Sequence, residues 1–225
     1  MSSELRDAYK TIAQDYLSKK AEPWKDFEKY FSKIVDQNFV EIDPSSSILD
    51  LGGGNGRNSS IISNSLLIVG DLSFELLQGV GDKAQSVALA LPRLPFRKGS
   101  IDLLLLIAVL HHFRSSIEAV DSLVECRRIN PNGKSLISVW RKWRKSNRYK
   151  LIDEIKQGKK LHQRFFEFVP WHNNDGTILT RRYYHYYTFK EIKCELDQAG
   201  FQIVDSVYLG GKSGSDNIFL TVKSL

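Results

Sequence analysis

Asp50, Gly52, Gly54 and Gly56 form an Asp-x-Gly-x-Gly-x-Gly series inside "ILDLGGGNGR", directly behind a short apolar run. Glycine gives such a turn positive φ angles and lets a ligand approach the backbone without meeting a Cβ. The acidic first member suits an ammonium group better than a pyrophosphate. A dinucleotide fingerprint fails here, because G-x-G-x-x-G/A started at Gly52 ends on Arg57 and started at Gly54 ends on Ser59. A second carboxylate, Asp71 in "VGDLS", closes the next apolar run, where it can accept both hydroxyls of a ribose. Together these features describe an amino acid joined to a nucleoside, without phosphate.

The elements that must position them read as alternating strands and helices. Seven apolar runs bounded by turn residues begin near Ser46, Leu66, Ser86, Ile101, Lys134, Phe201 and Asn217. Helical patterns lie between most of them. In "SSIEAVDSLVECRRI", Ser115 and Glu118 predict a capping box and Pro131 follows the end; Thr188 and Glu191 predict a second box, with Gly200 closing that helix. The glycine turn itself is expected to open a helix. Two more helices, "LRDAYKTIAQDYLSKK" and "DFEKYFSKIVDQNF", precede the first strand.

This pattern predicts an α/β, Rossmann-like, mostly parallel sheet with helices on both faces and an antiparallel last strand. The glycines then sit at the carboxyl end of the first strand, in the crevice where open α/β sheets bind ligands. The uncharged run Leu103 to Leu110 fits a central strand buried on both sides.

At 225 residues and 42% hydrophobic content, one domain spanning 1–225 is expected. Residues 1–40 form N-terminal helices, 46–140 a ligand-binding core, 141–187 an insertion and 188–225 a closing helix and strand pair. The start lacks a basic region followed by an apolar one, and the apolar run from Leu103 is too short to span a bilayer. A cytoplasmic protein without membrane association is expected. Cys126 and Cys194 lie far apart and outside any C-x-x-C pattern, so no disulfide framework or metal site is expected; both read as buried thiols.

The net charge of +6 is regional. From Arg141 to Lys193, 14 Lys/Arg face 5 Asp/Glu, a local +9, leaving 18 against 21, or −3, elsewhere. The same segment carries Trp140 at its edge and Trp143, Tyr149, Phe165, Phe166, Phe168, Trp171, Tyr183, Tyr184, Tyr186 and Tyr187. Basic charge interleaved with flat rings is what a nucleic-acid surface needs; a core of rings under a solvated charged face is the equal alternative.

Through "ILDLGGGNG", "GDLS" and "IAVLHHF" the chain resembles the seven-stranded, class I S-adenosylmethionine-dependent methyltransferases. Through "AQDYLSKKAEPW", "PFRKGSIDLLLLIAVLHHF", "NPNGKSLISVW" and above all "RRYYHYYTFKEI" it resembles the tRNA wobble-uridine carboxymethyl methyltransferases, whose members esterify 5-carboxymethyluridine. The part from Arg144 to Thr180 is unmatched. The resemblance implies S-adenosylmethionine as cofactor, with Asp50, Gly52, Gly54 and Gly56 at its methionine end, Asp71 on the ribose, and Ile107 with Ala108 beneath the reacting end. Where the family usually has an aspartate after the third strand, this chain has Ala90. Adenine is then left to the backbone near Leu91 or to another side chain, and weaker cofactor affinity is expected.

Methyl transfer from a sulfonium requires alignment and exclusion of water. A carboxylate acceptor, with an ordinary pKa near ~4, is ionised at neutral pH without a general base. The residues expected to position it are Arg182, His185, His111, His112, Trp140 and Lys20, the last standing where the family typically has arginine. One of the adjacent histidines is expected to face the site and the other to point away. Tyr183 and Tyr184, if extended, must face opposite sides.

The third strand, "SVALAL" from Ser86 to Leu91, should lie at a sheet edge with no charge or internal proline, a pairing hazard unless covered. The resemblance implies a small zinc-binding activator protein that pairs there, giving a heterodimer; cover by the terminal helices is the alternative. The whole reading is a tRNA methyltransferase. Its competitors are a small-molecule methyltransferase on the same fold and a non-catalytic RNA-binding module.

Overall fold

The computed structural model describes residues 3–63, 65–142, 165–211 and 213–225, with Ile152, Asp153, Ile155, Lys156 and Gly158 between them. Trp143 and Tyr149, two of the rings in the basic segment, lie outside the described residues.

Seven strands form one sheet. They are β1 (Ser47–Leu51), β2 (Leu66–Asp71), β3 (Gln85–Ala88), β4 (Leu103–Ile107), β5 (Lys134–Trp140), β8 (Phe201–Leu209) and β9 (Asn217–Ser224), in the order β3-β2-β1-β4-β5-β9-β8. The first five run parallel, β9 pairs antiparallel with both β5 and β8, and β8 forms the far edge. All seven expected strands are present.

β4 shows why the sheet must be covered twice. Its five residues, "LLLLI", are all buried. Leu104 and Leu106 join the core beneath α4 (Ser116–Ile129) and α5 (Phe189–Gln198), with Leu123, Cys126, Ile192 and Leu196. Leu103, Leu105 and Ile107 face the other way, against Phe27, Tyr30 and Ile34 of α2 (Lys25–Asp36). This is the two-residue period of a strand with apolar side chains on both faces. Deep in that second layer Tyr30 Oη and Thr221 Oγ1 meet at 2.7 Å, so the one polar tip of the buried ring is satisfied.

Several details depart from expectation. The glycine turn leads into a short 3₁₀ turn, Ser59–Ile61, in place of a helix, and α3 (Phe74–Leu77) has only four residues. The segment after the turn, "NSSIISNS", is rich in Ser and Asn, whose side chains compete for backbone groups; Ser59 and Ser60 Oγ bond to the carbonyls of Gly56 and Arg57. Thr188 and Glu191 make the full capping box, but Ser115 caps alone, because Glu118 Oε2 accepts from Arg114 N instead of from the cap residue. Cys126 is buried as expected, whereas Cys194 is exposed on α5. The third strand stops at Ala88, three residues short of Leu91.

The basic segment contains an unexpected hairpin, β6 (Phe165–His172) with β7 (Ile178–Tyr186), paired antiparallel and separate from the main sheet. It and α1 (Ser3–Lys19) lie over the carboxyl ends of the parallel strands. α1 is tied to the hairpin by Trp171, whose Nε1 donates to Asp15 Oδ2 at 2.6 Å and whose ring stacks on Tyr16. Lys19 adds a bond from Nζ to the His172 carbonyl at 2.8 Å. Among the described residues no helix is long and apolar enough to cross a membrane.

Candidate active site

Between the strand ends and this roof lies a cavity of about 480 Å³. Its floor is the glycine turn, Asp71 at the end of β2, Ile107 and Ala108 at the end of β4, and Trp140 at the end of β5. α1 contributes Tyr9 and Tyr16, the linker after it Lys20 and Trp24, and the hairpin Trp171, Arg182 and Tyr184.

The turn has the geometry its glycines foretold. Gly52, Gly54 and Gly56 have φ of 75°, 60° and 72°, the left-handed region. A Cβ on Gly52 would stand 2.6 Å from Val109 Cγ2, so that glycine is needed for packing. A Cβ on Gly54 would meet protein no closer than 3.6 Å, so its space belongs to the cavity. Asp71 fixes the turn: Oδ2 accepts from Gly54 N and Oδ1 from Ser73 N, both at 2.8 Å. Each oxygen keeps a second lone pair for a ligand hydroxyl. Among the described residues Ala108 is the one non-glycine lining the cavity with positive φ, 62°, and its N–H is held by Ser138 Oγ at 2.9 Å. A non-glycine in that region is strained and marks a place where the backbone path is constrained.

Asp50 does not reach the cavity. It is buried under Gly53, where a Cβ would stand 2.6 Å from its Oδ2, and that oxygen has no hydrogen-bond partner. Burial, opposed by Ser59 and reinforced by Asp71, pushes its pKa up to about 6. Gly56 and Leu91 also stand outside the cavity wall, and Leu91 belongs to the buried core. Its side chain packs in that core, so the expected contact with adenine falls to backbone alone. Beyond Asp71 the cavity is lined by Leu72 and Leu76.

Both histidines line the cavity, against the expectation that one points away. They sit in a 3₁₀ turn, Leu110–His112, where successive side chains diverge by about 120° and not by the 180° of a strand. His111 stacks on Tyr184 with centroids 4.6 Å apart. His112 Nδ1 lies 3.1 Å from the Tyr183 carbonyl and must donate to it, which leaves Nε2 to accept from Tyr9 Oη at 3.0 Å. Burial pushes the His112 pKa down to about 3, so the ring is neutral. Burial likewise raises Tyr9 well above its ordinary value, so its hydroxyl stays protonated.

Strand alternation divides the "RRYYH" segment as expected. Arg182 and Tyr184 face the cavity and Tyr183 the opposite side; His185 is buried outside the cavity, its Nδ1 3.0 Å from the Phe165 carbonyl and its ring against Tyr187. His185 therefore braces the hairpin. Arg182 is 6% exposed and boxed by three rings, 4.8 Å from the Trp171 centroid, 5.2 Å from Tyr184 and 5.6 Å from Tyr9. Its Nε has no hydrogen-bond partner, and no carboxylate pairs with it among the described residues. Lys20 and Arg57 complete a group of three cations around the cavity. The Lys20 ammonium is held below its ordinary value, first by desolvation and then by Arg57 and Arg182.

Sequence reasoning missed Tyr9, Tyr16, Trp171 and Tyr184 as cavity residues. The fit to a nucleoside-linked amino acid is good: an open glycine cradle, a carboxylate at the end of β2, and apolar side chains beyond it. Among the described residues no cluster could hold a metal ion.

Residues 24–206 match the family model described as methyltransferase domain, and the chain belongs to that family. It is a class I, S-adenosylmethionine-dependent methyltransferase. Among curated relatives, the Schizosaccharomyces pombe tRNA (carboxymethyluridine(34)-5-O)-methyltransferase is 23% identical over 91% of both chains. The mouse tRNA (carboxymethyluridine(34)-5-O)-methyltransferase ALKBH8 is 32% identical over 60% of this chain, a match that spans only 20% of the mouse protein. Among solved structures, the Burkholderia thailandensis 1,6-didemethyltoxoflavin-N1-methyltransferase with bound S-adenosylhomocysteine superposes with a TM-score of 0.62 at 18% identity, over 100% of this chain and 92% of that one. A chain from the complex of the Haloferax volcanii Trm112 methyltransferase activator with a methyltransferase gives 0.67 at 12% identity, over 98% and 97%. At these identities the structural likeness concerns the fold.

Proposed function

We propose that this methyltransferase esterifies the carboxylate of a carboxymethyluridine at the wobble position of tRNA. The observation that carries the reading is Arg182, a buried cation boxed by rings and lacking a carboxylate partner inside the same cavity as the glycine turn. Such a cation is satisfied by an anionic ligand. The names of the S. pombe and mouse relatives supply the particular anion.

In this reading Gly52, Gly54 and Asp71 hold S-adenosylmethionine, which supplies an electrophilic methyl group on a sulfonium. Arg182 and Lys20 orient the acceptor carboxylate over Ile107 and Ala108. The rings of Trp140 and Tyr184, stacked 4.4 Å apart, and the roof of α1 exclude water. One carboxylate oxygen forms the new carbon–oxygen bond as the methyl–sulfur bond breaks. The opposite charges cancel and no proton moves, which suits a site whose His112 is neutral and already occupied by Tyr9 and the Tyr183 carbonyl. Arg182 fits the role of an orienting cation, since the surrounding rings hold the guanidinium without neutralising its charge, which is left for the acceptor.

The exposed edge of β3 supports the activator partner. Gln85, Ser86 and Ala88 are exposed, so the terminal helices do not cover it, and an added strand would pair there.

Matched stem-loop RNAs carrying a carboxymethyl or a carbamoylmethyl group on the wobble uridine test the proposal. Methyl transfer to the first and none to the second is expected, with Arg182→Met abolishing transfer while leaving S-adenosylhomocysteine affinity within about threefold. Equal transfer to both, or to neither, would refute it.

A further inference from the structure

The hairpin that walls the cavity has a second face. Along β6 and β7, Phe166 and Phe168 alternate with the inward side chains of Phe165 and Val169, and Tyr183 alternates with Arg182 and Tyr184. Phe166 and Phe168 are 52% and 48% exposed. Tyr183 is the cross-strand partner of Phe168 and stacks on Phe166, centroids 5.3 Å apart and 26° between planes. Phe168 meets Tyr183 edge-on at 5.9 Å. The Arg114 guanidinium stands 5.7 Å over the Tyr183 ring, and Arg181, on the same face, is exposed. A hairpin that served only to roof the cavity would need rings on one face; this one carries them on both.

We propose that this outer face stacks unpaired bases of the RNA loop beside the nucleotide held in the cavity. The proposal rests on the RNA reading above and names a binding surface that the reading does not require. Bases use the flat sides of rings and leave their phosphates at the periphery, where Arg114 and Arg181 stand. The outward side chains Phe166, Phe168, Pro170, Leu179, Arg181 and Tyr183 include no carboxylate. A protein partner covering this face would have to bury both guanidinium groups, whereas RNA supplies the counter-charge. Arg114 already pairs with Glu4, but both are exposed, and such a pair exchanges readily for phosphate.

Continuity with the cavity gives the surface its purpose. The Tyr183 carbonyl accepts a hydrogen bond from His112 Nδ1–H at 3.1 Å between heavy atoms, while its neighbours Arg182 and Tyr184 line the cavity. A loop crossing the hairpin edge would place one extruded nucleotide inside and its neighbours on the outer rings. Extruding a base costs stacking, and new stacking on Phe166 and Phe168 offsets that loss.

The test is titration of the protein into a fluorescently labelled anticodon stem-loop, with S-adenosylhomocysteine binding and methyl transfer measured on the same samples. Phe166→Ala with Phe168→Ala should weaken loop binding by about 30-fold or more, leave S-adenosylhomocysteine affinity unchanged, and raise KM for RNA without lowering kcat. If the double alanine variant fails to fold, Phe166→Leu with Phe168→Leu keeps the apolar volume without a ring face and should show the same loss. Loop binding within twofold of wild type in a folded variant would overturn the proposal. If wild type methylates RNA and the variants match it, the platform is wrong and the function stands. If wild type binds the loop through these rings but never methylates it, the function is wrong and the platform stands. Loss of activator binding, with RNA binding intact, would assign the face to a protein and overturn the proposal.

Discussion

Tyr9 Oη lies 3.0 Å from His112 Nε2, joining the first helix of the chain to the turn after β4 across 103 residues of sequence. The same imidazole reaches the Tyr183 carbonyl through Nδ1, so one neutral ring connects α1, the parallel sheet and the hairpin. Removing the hydroxyl with Tyr9→Phe keeps the ring beside Arg182 but strips Nε2 of its donor. A buried acceptor left unpaired costs roughly 1–3 kcal/mol. We expect methyl transfer to fall about 5- to 100-fold in kcat/KM, with circular dichroism and S-adenosylhomocysteine affinity little changed. An unaltered rate would show that the bond does not organise the site.

Asp50 should make the protein less stable as pH rises. Its folded pKa of about 6 lies above the ordinary carboxylate value near ~4, so between these limits the folded state binds more protons than the unfolded one. The stabilisation is complete below pH ~4 and is lost as pH rises through 6, about 3 kcal/mol in all. Asp50→Asn, which cannot ionise, lacks this loss. Urea unfolding without cofactor at pH 4.5 and 7.5 should show the variant gaining on wild type at the higher pH by up to that amount. A constant difference between the two proteins would contradict the assignment.

Gly52 and Gly54 share a left-handed backbone but answer to different neighbours, so substitutions there should separate folding from binding. Gly52→Ala drives a methyl toward Val109 and should lower the melting temperature markedly. Gly54→Ala meets open cavity, so it should cost only the positive-φ strain of about 1–2 kcal/mol while reducing S-adenosylhomocysteine affinity at least tenfold by calorimetry. Equal affinities for Gly54→Ala and wild type would place the cofactor elsewhere.

The contrast between β4 and β7 explains what could be read in advance. "LLLLI" between turn residues announces a strand buried on both faces, and the glycines and Asp71 follow from their places at strand ends. β7 hides because it is aromatic on both sides: Tyr184 and Tyr186 inside and Tyr183 outside leave no polar-apolar alternation to detect. Tyr9, Tyr16 and Trp171 were illegible for another reason, since their contacts bridge more than a hundred residues and local spacing carries no trace of them. Asp50 stood in the right motif, yet its depth under Gly53 depends on tertiary packing that the motif does not encode.

The central claim is best tested by incubating the protein, alone and with a candidate activator, with tRNA lacking the modification and S-adenosylmethionine labelled in its methyl group, followed by nucleoside mass spectrometry. The account predicts label on carboxymethyluridine that mild alkali releases, as an ester must. Label absent from RNA under both conditions, in a protein that binds S-adenosylhomocysteine, would contradict it.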